Sequence, residues 1–195
     1  MKKAVITIIS VLLILAVLSV VAFHTIKKFL VSLEYKMYPL PEEYLDEIEK
    51  WADEYDVPIE IVCGIIHTES GFDPEAVSRA GAKGMMQITK DTFEWILFRL
   101  KDQKSEEVLF DYKINIQYGT YLLSYLYSEF GDWDTVFAAY NAGIGSVKLW
   151  LADESISENG KLKNIPYKET ADYVEKVNKA AEKYKQLYFS EQISE

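Results

Sequence analysis

Residues 4 to 23 form an uninterrupted uncharged stretch, Ala-Val-Ile-Thr-Ile-Ile-Ser-Val-Leu-Leu-Ile-Leu-Ala-Val-Leu-Ser-Val-Val-Ala-Phe. Twenty helical residues rise about 30 Å, the hydrocarbon thickness of a bilayer. A cleaved signal peptide has a shorter apolar core and a small-x-small exit, which Val20-Val21-Ala22-Phe23 matches poorly. Residues 1–28 therefore read as an uncleaved membrane anchor, with a cleaved signal peptide as the alternative. Lysines flank both ends, so the positive-inside rule biases the topology only slightly. The simpler single-pass arrangement keeps Met1-Lys2-Lys3 inside and places the rest of the chain on the extracytoplasmic side.

Lys2, Lys3, Lys27 and Lys28 are the only charges in that anchor, and the whole chain carries −10, leaving −14 on the remainder. So acidic a domain is a poor partner for nucleic acid, whose binding rests on neutralising phosphates with Lys and Arg. Broad electrostatic adhesion to an anionic surface is disfavoured for the same reason. A polymer gripped by this domain is held by local hydrogen bonds and stacking. Cys63 is the one cysteine, which excludes an intrachain disulfide. That fits a reducing compartment, or an exported domain large enough to need no covalent staple.

Residues 29–40 read as a stalk ending at Pro39 and Pro41, residues 41–190 as one helical domain, and 191–195 as a tail. Pro41 suits a first helical turn, and Tyr44, Ile48, Trp51, Ala52 and Tyr55 make an apolar stripe behind it. After the break at Asp56-Val57-Pro58, Ile61, Val62, Ile65 and Ile66 bury a second helix that ends near Glu69-Ser70-Gly71. Gly71, Gly81, Gly84 and Pro74 mark a structured loop over 71–88. Thr89 or Asp91 caps a helix to about Leu100. A long helical pattern over 111–130 stops at Gly131. Another helix over 132–140 breaks at Asn141-Ala142-Gly143-Ile144-Gly145, and a short one covers 146–151. Residues 153–166 read as a polar loop, and Tyr173, Val177, Ala180, Tyr184 and Leu187 form one face of a closing helix. With no strand alternation, the fold class is all-α.

Glu69 carries the chemistry. At a helix C-terminus it meets the negative end of the macrodipole, which disfavours ionisation. An apolar surround from Ile65, Met85 and Met86 pushes the same way. A protonated carboxyl group beside a concave wall is what a general acid needs, whereas alone such a residue reads as an exposed acid at a helix end.

Around it, Glu69-Ser70-Gly71-Phe72 followed by Ser78-Arg79-Ala80-Gly81-Ala82-Lys83-Gly84-Met85-Met86-Gln87-Ile88 resembles the first signature of the soluble-type (SLT-domain) lytic transglycosylase family. Asn115-Ile116-Gln117-Tyr118-Gly119-Thr120-Tyr121-Leu122 is similar to its second signature and Ala138-Ala139-Tyr140-Asn141-Ala142-Gly143 to its third. Ile165-Pro166 with Glu169-Thr170-Ala171-Asp172-Tyr173-Val174 is similar to its closing helix. The blocks occur in the family's order; Met85, where leucine is usual, conserves volume.

The resemblance implies a lysozyme-like domain behind a single N-terminal transmembrane helix. It implies peptidoglycan glycan strands as substrate, with the membrane contacted through that helix and no metal or organic cofactor. Glu69 would protonate the oxygen between N-acetylmuramic acid and N-acetylglucosamine. As a carboxylate it would then take the proton of the muramic acid C6 hydroxyl, which closes on C1 as a 1,6-anhydro ring. A substrate-borne nucleophile explains why a second carboxylate, which ordinary glycosidases need, is dispensable. By the same resemblance Ser70 and Ser78 organise the loop or bond near the acid, Met86 and Gln87 are cleft residues, Tyr140 and Asn141 face the acid and an N-acetyl group, and Tyr173 approaches the carboxyl group. For Ser70 a purely structural role is equally open, and Glu169-Thr170 reads as a helix start.

Other chemistries compete. Cys63 and His67, four apart on one helix, could form a thiol–imidazole pair, although a cysteine among Ile59, Val62 and Ile66 reads as core. One histidine is not a metal ligand set. Tyr118, Tyr121 and Tyr125 share a face that reads as core before it reads as a sugar platform. A goose-type hydrolytic muramidase and a non-catalytic wall-binding module remain the alternative functions.

Overall fold

The computed structural model describes the backbone of residues 2–190 and the side chains of residues 12–190. The tail expected at 191–195 lies outside the described residues. The chain divides into two units, Met1–Pro39 and Leu40–Glu195.

The first unit is helix α1, Lys2–Met37. Its described part is long and apolar enough to cross a membrane. The segment expected as a stalk continues this helix to Met37, because no proline or glycine intervenes before Pro39 to break the hydrogen-bond ladder.

The second unit is helical. Helices α2 (Glu42–Glu54), α3 (Ile59–Glu69), α4 (Lys90–Leu100), α5 (Tyr112–Phe130), α6 (Trp133–Ala142), α7 (Ile144–Leu151) and α8 (Lys168–Tyr184) are joined by one 3₁₀ turn at Glu106–Phe110. A π-helical turn, Lys185–Phe189, extends α8. Side-chain oxygens of Thr89, Asp111 and Asp132 accept from the first-turn amides of α4, α5 and α6, satisfying donors that a helix start leaves unpaired. Gly131 ends α5 in the left-handed conformation at φ 64°.

Helix α6 runs through Asn141 and Ala142, and only Gly143, at φ 85°, breaks the path into α7. The polar segment 153–166 contains a two-stranded antiparallel hairpin, β1 (Ser157–Glu158) and β2 (Lys161–Leu162).

Helix α3 is the buried centre, with Ile61 through Ile66 all inaccessible or nearly so. It lies close against α8 at Gly64, where an added Cβ would stand 2.9 Å from the Ala181 backbone nitrogen. That approach sets how α3 delivers Glu69 to the face of α8. In an isolated helix Gly64→Ala would gain about 1 kcal/mol from propensity. Here overpacking against backbone costs about 1–3 kcal/mol and dominates. The variant is expected to melt a few degrees lower, by about 2–4 °C for each kcal/mol lost, as read by thermal unfolding followed by circular dichroism.

Candidate active site

Glu69 is the last residue of α3, and Ser70 caps the helix. The Ser70 hydroxyl donates to the Met85 carbonyl at 2.8 Å and accepts from the Asp73 amide at 3.2 Å. The residue after the acid is thereby stitched to both ends of the 71–88 loop. Within that loop Lys83 bridges to Val77 and Ile88, and the Ser78 hydroxyl accepts from the Ala82 amide at 3.0 Å. The Gln87 side-chain amide donates to the carbonyls of Ala76 (3.0 Å) and Gly84 (2.8 Å).

Asn115, fully buried on α5, clamps this loop from behind. Its Oδ1 accepts from the Met86 amide at 2.7 Å, and its Nδ2 donates to the carbonyls of Lys83 (3.0 Å) and Leu109 (2.8 Å). Gly84 sits at φ +74°, where a Cβ would overlap the Leu109 carbonyl and the Asn115 amide. Glycine is required there both for the backbone angle and for the space.

The Tyr173 hydroxyl, on α8, donates to Glu69 Oε1 at 2.6 Å. The Tyr140 hydroxyl, on α6, donates to the Met86 carbonyl at 2.7 Å. Burial raises the Glu69 carboxyl pKa from an ordinary 4.5 to about 7, and the Tyr173 hydrogen bond opposes part of that rise. Both phenols are pushed well above their usual range, by burial first and then by the charge of the Glu69 carboxylate. They are neutral donors at any physiological pH. The site is one carboxyl group that burial raises to about 7, bonded by a phenol. Such a group can give a proton and take one back at the same pH.

A pH prediction follows from these partners. The carboxyl group acts as an acid only while protonated, so activity falls as pH rises through about 7. Tyr173 donates to the ionised form and lowers the pKa. Tyr173→Phe is therefore expected to shift the alkaline limb of the pH–rate profile to higher pH. It should also reduce the maximal rate by about tenfold, the equivalent of one hydrogen bond.

The structure brings Glu69, Tyr140 and Tyr173 together and places Asn141 at the end of the same helix as Tyr140. The Asn141 Oδ1 accepts from the Thr170 hydroxyl at 2.8 Å. The other expected site residues serve differently. The Met86 side chain is fully buried and lies against Gly119, so this residue offers its carbonyl to Tyr140 and no side chain to a cleft. Ser70, Ser78 and the Gln87 amino group spend their hydrogen bonds on the loop itself. Sequence alone assigns Asn115 no role beyond its motif, and Thr170 only a place at a helix start. For Thr170 the available signal was its place in the first turn of the closing helix; for Asn115 there was none, because its partners lie far off in the chain.

The thiol–imidazole alternative is overturned. Cys63 is fully buried, and burial pushes its thiol pKa far up, so no thiolate nucleophile is on offer. His67, whose pKa is lowered by burial, lies 3.2 Å through Nδ1 from the Tyr184 hydroxyl. Tyr118 is core, while Tyr121 and Tyr125 are half-buried around Trp95, with the Arg99 guanidinium over Trp95 and Tyr125. A cavity of about 270 Å³ opens beside Tyr140, walled by Thr92, Trp95, Leu122, Tyr125 and Ile144. Among the described residues no group of three His, Cys, Asp or Glu side chains converges as a metal site.

Comparisons with known proteins bear on the family and the fold. The family model described as the transglycosylase SLT domain matches residues 46–163. The soluble lytic murein transglycosylase of Escherichia coli (strain K12) is 34% identical over 143 residues, 70% of this chain and 22% of that protein. The membrane-bound lytic murein transglycosylase C of Histophilus somni (strain 2336) is 31% identical over 175 residues, 77% of this chain and 48% of that protein. Among solved structures, the 70 kDa soluble lytic transglycosylase from Escherichia coli superposes with a TM-score of 0.70 at 30% identity, over 78% of this chain and 25% of that chain. An inactive glutamate-to-glutamine mutant of the lytic transglycosylase Slt from Pseudomonas aeruginosa superposes with a TM-score of 0.69 at 27% identity, over 81% of this chain and 26% of that chain. The chain thus spans about a quarter to a half of the length of these relatives. The family match ends at residue 163, before α8 supplies Thr170 and Tyr173.

Proposed function

The chain belongs to the transglycosylase SLT domain family, and on that premise we propose that it is a lytic transglycosylase that cleaves peptidoglycan glycan strands with Glu69 as its single acid and base. The observation that carries the reading is the carboxyl group of Glu69, raised to about 7 by burial and touched by Tyr173 at 2.6 Å. The inactivity of a relative in which one glutamate is replaced by glutamine supports it.

In the forward step the Glu69 proton passes to the glycosidic oxygen as the bond from C1 of N-acetylmuramic acid to that oxygen breaks, releasing the N-acetylglucosamine hydroxyl. The carboxylate left behind then takes the proton of the muramic acid C6 hydroxyl, whose oxygen bonds to C1. Glu69 ends protonated, no water is consumed, and the product end is 1,6-anhydro-muramic acid. Proton donation and removal by a positioned carboxyl group contribute about 10²–10⁴ in rate. Holding the intramolecular hydroxyl in place adds the advantage of a tethered nucleophile. The Tyr173 bond keeps Oε1 oriented through both halves.

We further infer that α1 anchors residues 1–28 in the cell membrane as a single pass, with the lysozyme-like domain, residues 41–190, on the extracytoplasmic side. The apolar length of α1 and the membrane-bound relatives support this. The reading excludes nucleic acid and assigns no cofactor.

The test is digestion of purified peptidoglycan by the full chain in detergent, with mass spectrometry of the released muropeptides. Anhydro-muramyl ends, one water lighter than hydrolysis products, are expected. Reducing muramic acid ends would make the protein a muramidase, and no release would leave a wall-binding module.

A further inference from the structure

Phe98, near the end of α4, is 81% exposed, more than any other large apolar side chain among the described residues. One such residue alone is ordinary, but this one stands beside a cluster of half-buried rings. The Arg99 guanidinium lies 5.7 Å from the centre of the Trp95 ring and 5.0 Å from that of Tyr125. Its Nε donates to the Tyr121 hydroxyl at 3.4 Å. Among the described residues no ion pair holds Arg99; Glu129, whose charge it senses, bonds Lys148 instead. Trp95 lies 4.7 Å from Tyr125 and 6.3 Å from Tyr121, centre to centre. This cluster joins two cavities. One is the cavity of about 270 Å³ beside Tyr140, which Trp95 and Tyr125 help to wall. The other, of about 550 Å³, has Leu97, Phe98, Arg99, Gln103 and Tyr121 in its walls. The 11 residues of α4 rise about 16 Å, and a groove runs away from Tyr140 along that length.

A sugar ring has C–H faces that pack on aromatic planes and a rim of oxygens that accept from fixed donors. The groove alternates the two kinds of partner: the rings of Trp95, Tyr121 and Phe98, and the N–H groups of Arg99 and the Gln103 amide. An amphipathic helix would need a continuous apolar floor, which Arg99, Lys101 and Gln103 interrupt. Continuity with the cavity at Tyr140 points to the same polymer that the site takes. Building on the reading of the chain as a glycan-cleaving protein, we propose that α4 and α5 form a distal glycan-binding groove, which holds the strand several sugars beyond the bond that is cut. Phe98, Arg99 and Tyr121 take no part in bond cleavage. They favour long strands over short ones, and so keep the protein on polymer rather than on released fragments.

The test uses the full chain carrying Glu69→Gln, in a detergent without a sugar headgroup, and two probes, chitotriose and chitohexaose. Affinity is read by calorimetry, which needs no bond cleavage. Chitohexaose is expected to bind at least about tenfold tighter than chitotriose, on the scale of one added aromatic contact. Phe98→Ala and Arg99→Ala should each remove most of that gain while leaving the affinity for chitotriose unchanged. Both side chains are exposed, so the melting temperature should stay within a degree or two of the parent, as for a surface change. Phe98→Tyr, which keeps the ring, should retain the gain. A hexaose no tighter than the triose would overturn the groove and leave the chemistry of Glu69 untouched. So would a gain that survives both alanine substitutions, or an equal loss for the two probes, which marks an effect on the fold or the central site. Binding of neither probe would overturn the groove together with the glycan reading on which it rests.

Discussion

Glu69→Gln is expected to lose at least about 10³-fold in turnover while becoming the more stable protein at alkaline pH. An amide neither donates a proton to a glycosidic oxygen nor removes one from a hydroxyl, so both halves of the reaction fail together. The stability gain has the same origin. The Glu69 pKa is raised by burial from 4.5 to about 7 in the folded chain. Its contribution to stability is therefore fully present below about pH 4.5 and is lost as pH rises through about 7, where a charge must be held in a desolvated place. The displacement corresponds to about 3 kcal/mol. Native and variant proteins should melt within a degree or two of each other near pH 4. At pH 8–9 the variant should melt higher, by about 2–4 °C for each kcal/mol recovered. Such an inverse relation between activity and stability is what a site built on a desolvated acid requires. A variant with unchanged turnover would remove Glu69 from the chemistry.

Asn115→Ala is expected to produce the largest loss of stability of any substitution near the site. Asn115, fully buried, makes three hydrogen bonds: one from the Met86 amide and two to the Lys83 and Leu109 carbonyls. Removing it takes the partner from the Met86 amide and the Leu109 carbonyl, while the Lys83 carbonyl keeps its bond from the Ile88 amide; each buried group left unpaired costs about 1–3 kcal/mol. With relaxation of the loop the total is about 3–5 kcal/mol, a large part of the stability of an ordinary domain. Urea unfolding followed by tryptophan fluorescence measures this directly. Activity should fall as well, because Met86 supplies the carbonyl that receives the Tyr140 hydroxyl. A loss below about 1 kcal/mol, which is the scale of an ordinary solvent-accessible hydrogen bond, would show that the loop holds its shape without the clamp.

The helices were legible because their signals are local. Periodic apolar positions, Pro41, the caps at Thr89, Asp111 and Asp132, and Gly131 each act within a few residues of where they stand. Glu69 was legible because a lone acid ends an apolar helix ahead of a glycine-marked loop. What sequence could not convey was which atom of a residue serves the site. Met86 sits within a motif, yet its side chain is buried and its carbonyl does the work. Asn115 is 29 residues from Met86 and 32 from Lys83, so nothing in its own neighbourhood reveals what it holds. The run Asn141-Ala142-Gly143-Ile144-Gly145 looked like a long break, yet four of its residues lie in helices and only Gly143 adopts the left-handed side of φ. The hairpin at Ser157–Leu162 has strands of two residues, too short for alternation to register. Its one usable signal was Asn159-Gly160, both with positive φ, the pair that suits a two-residue hairpin turn.

The account rests on one carboxyl group that is protonated for a substantial part of the time at neutral pH. The most direct test is a carbon-13 NMR titration of glutamate side chains in the full chain, with Glu69→Gln identifying the resonance. A midpoint near 7 is expected. A midpoint near 4, the ordinary carboxylate value, would mean that Glu69 is ionised and solvated at neutrality, and would contradict its assignment as the acid.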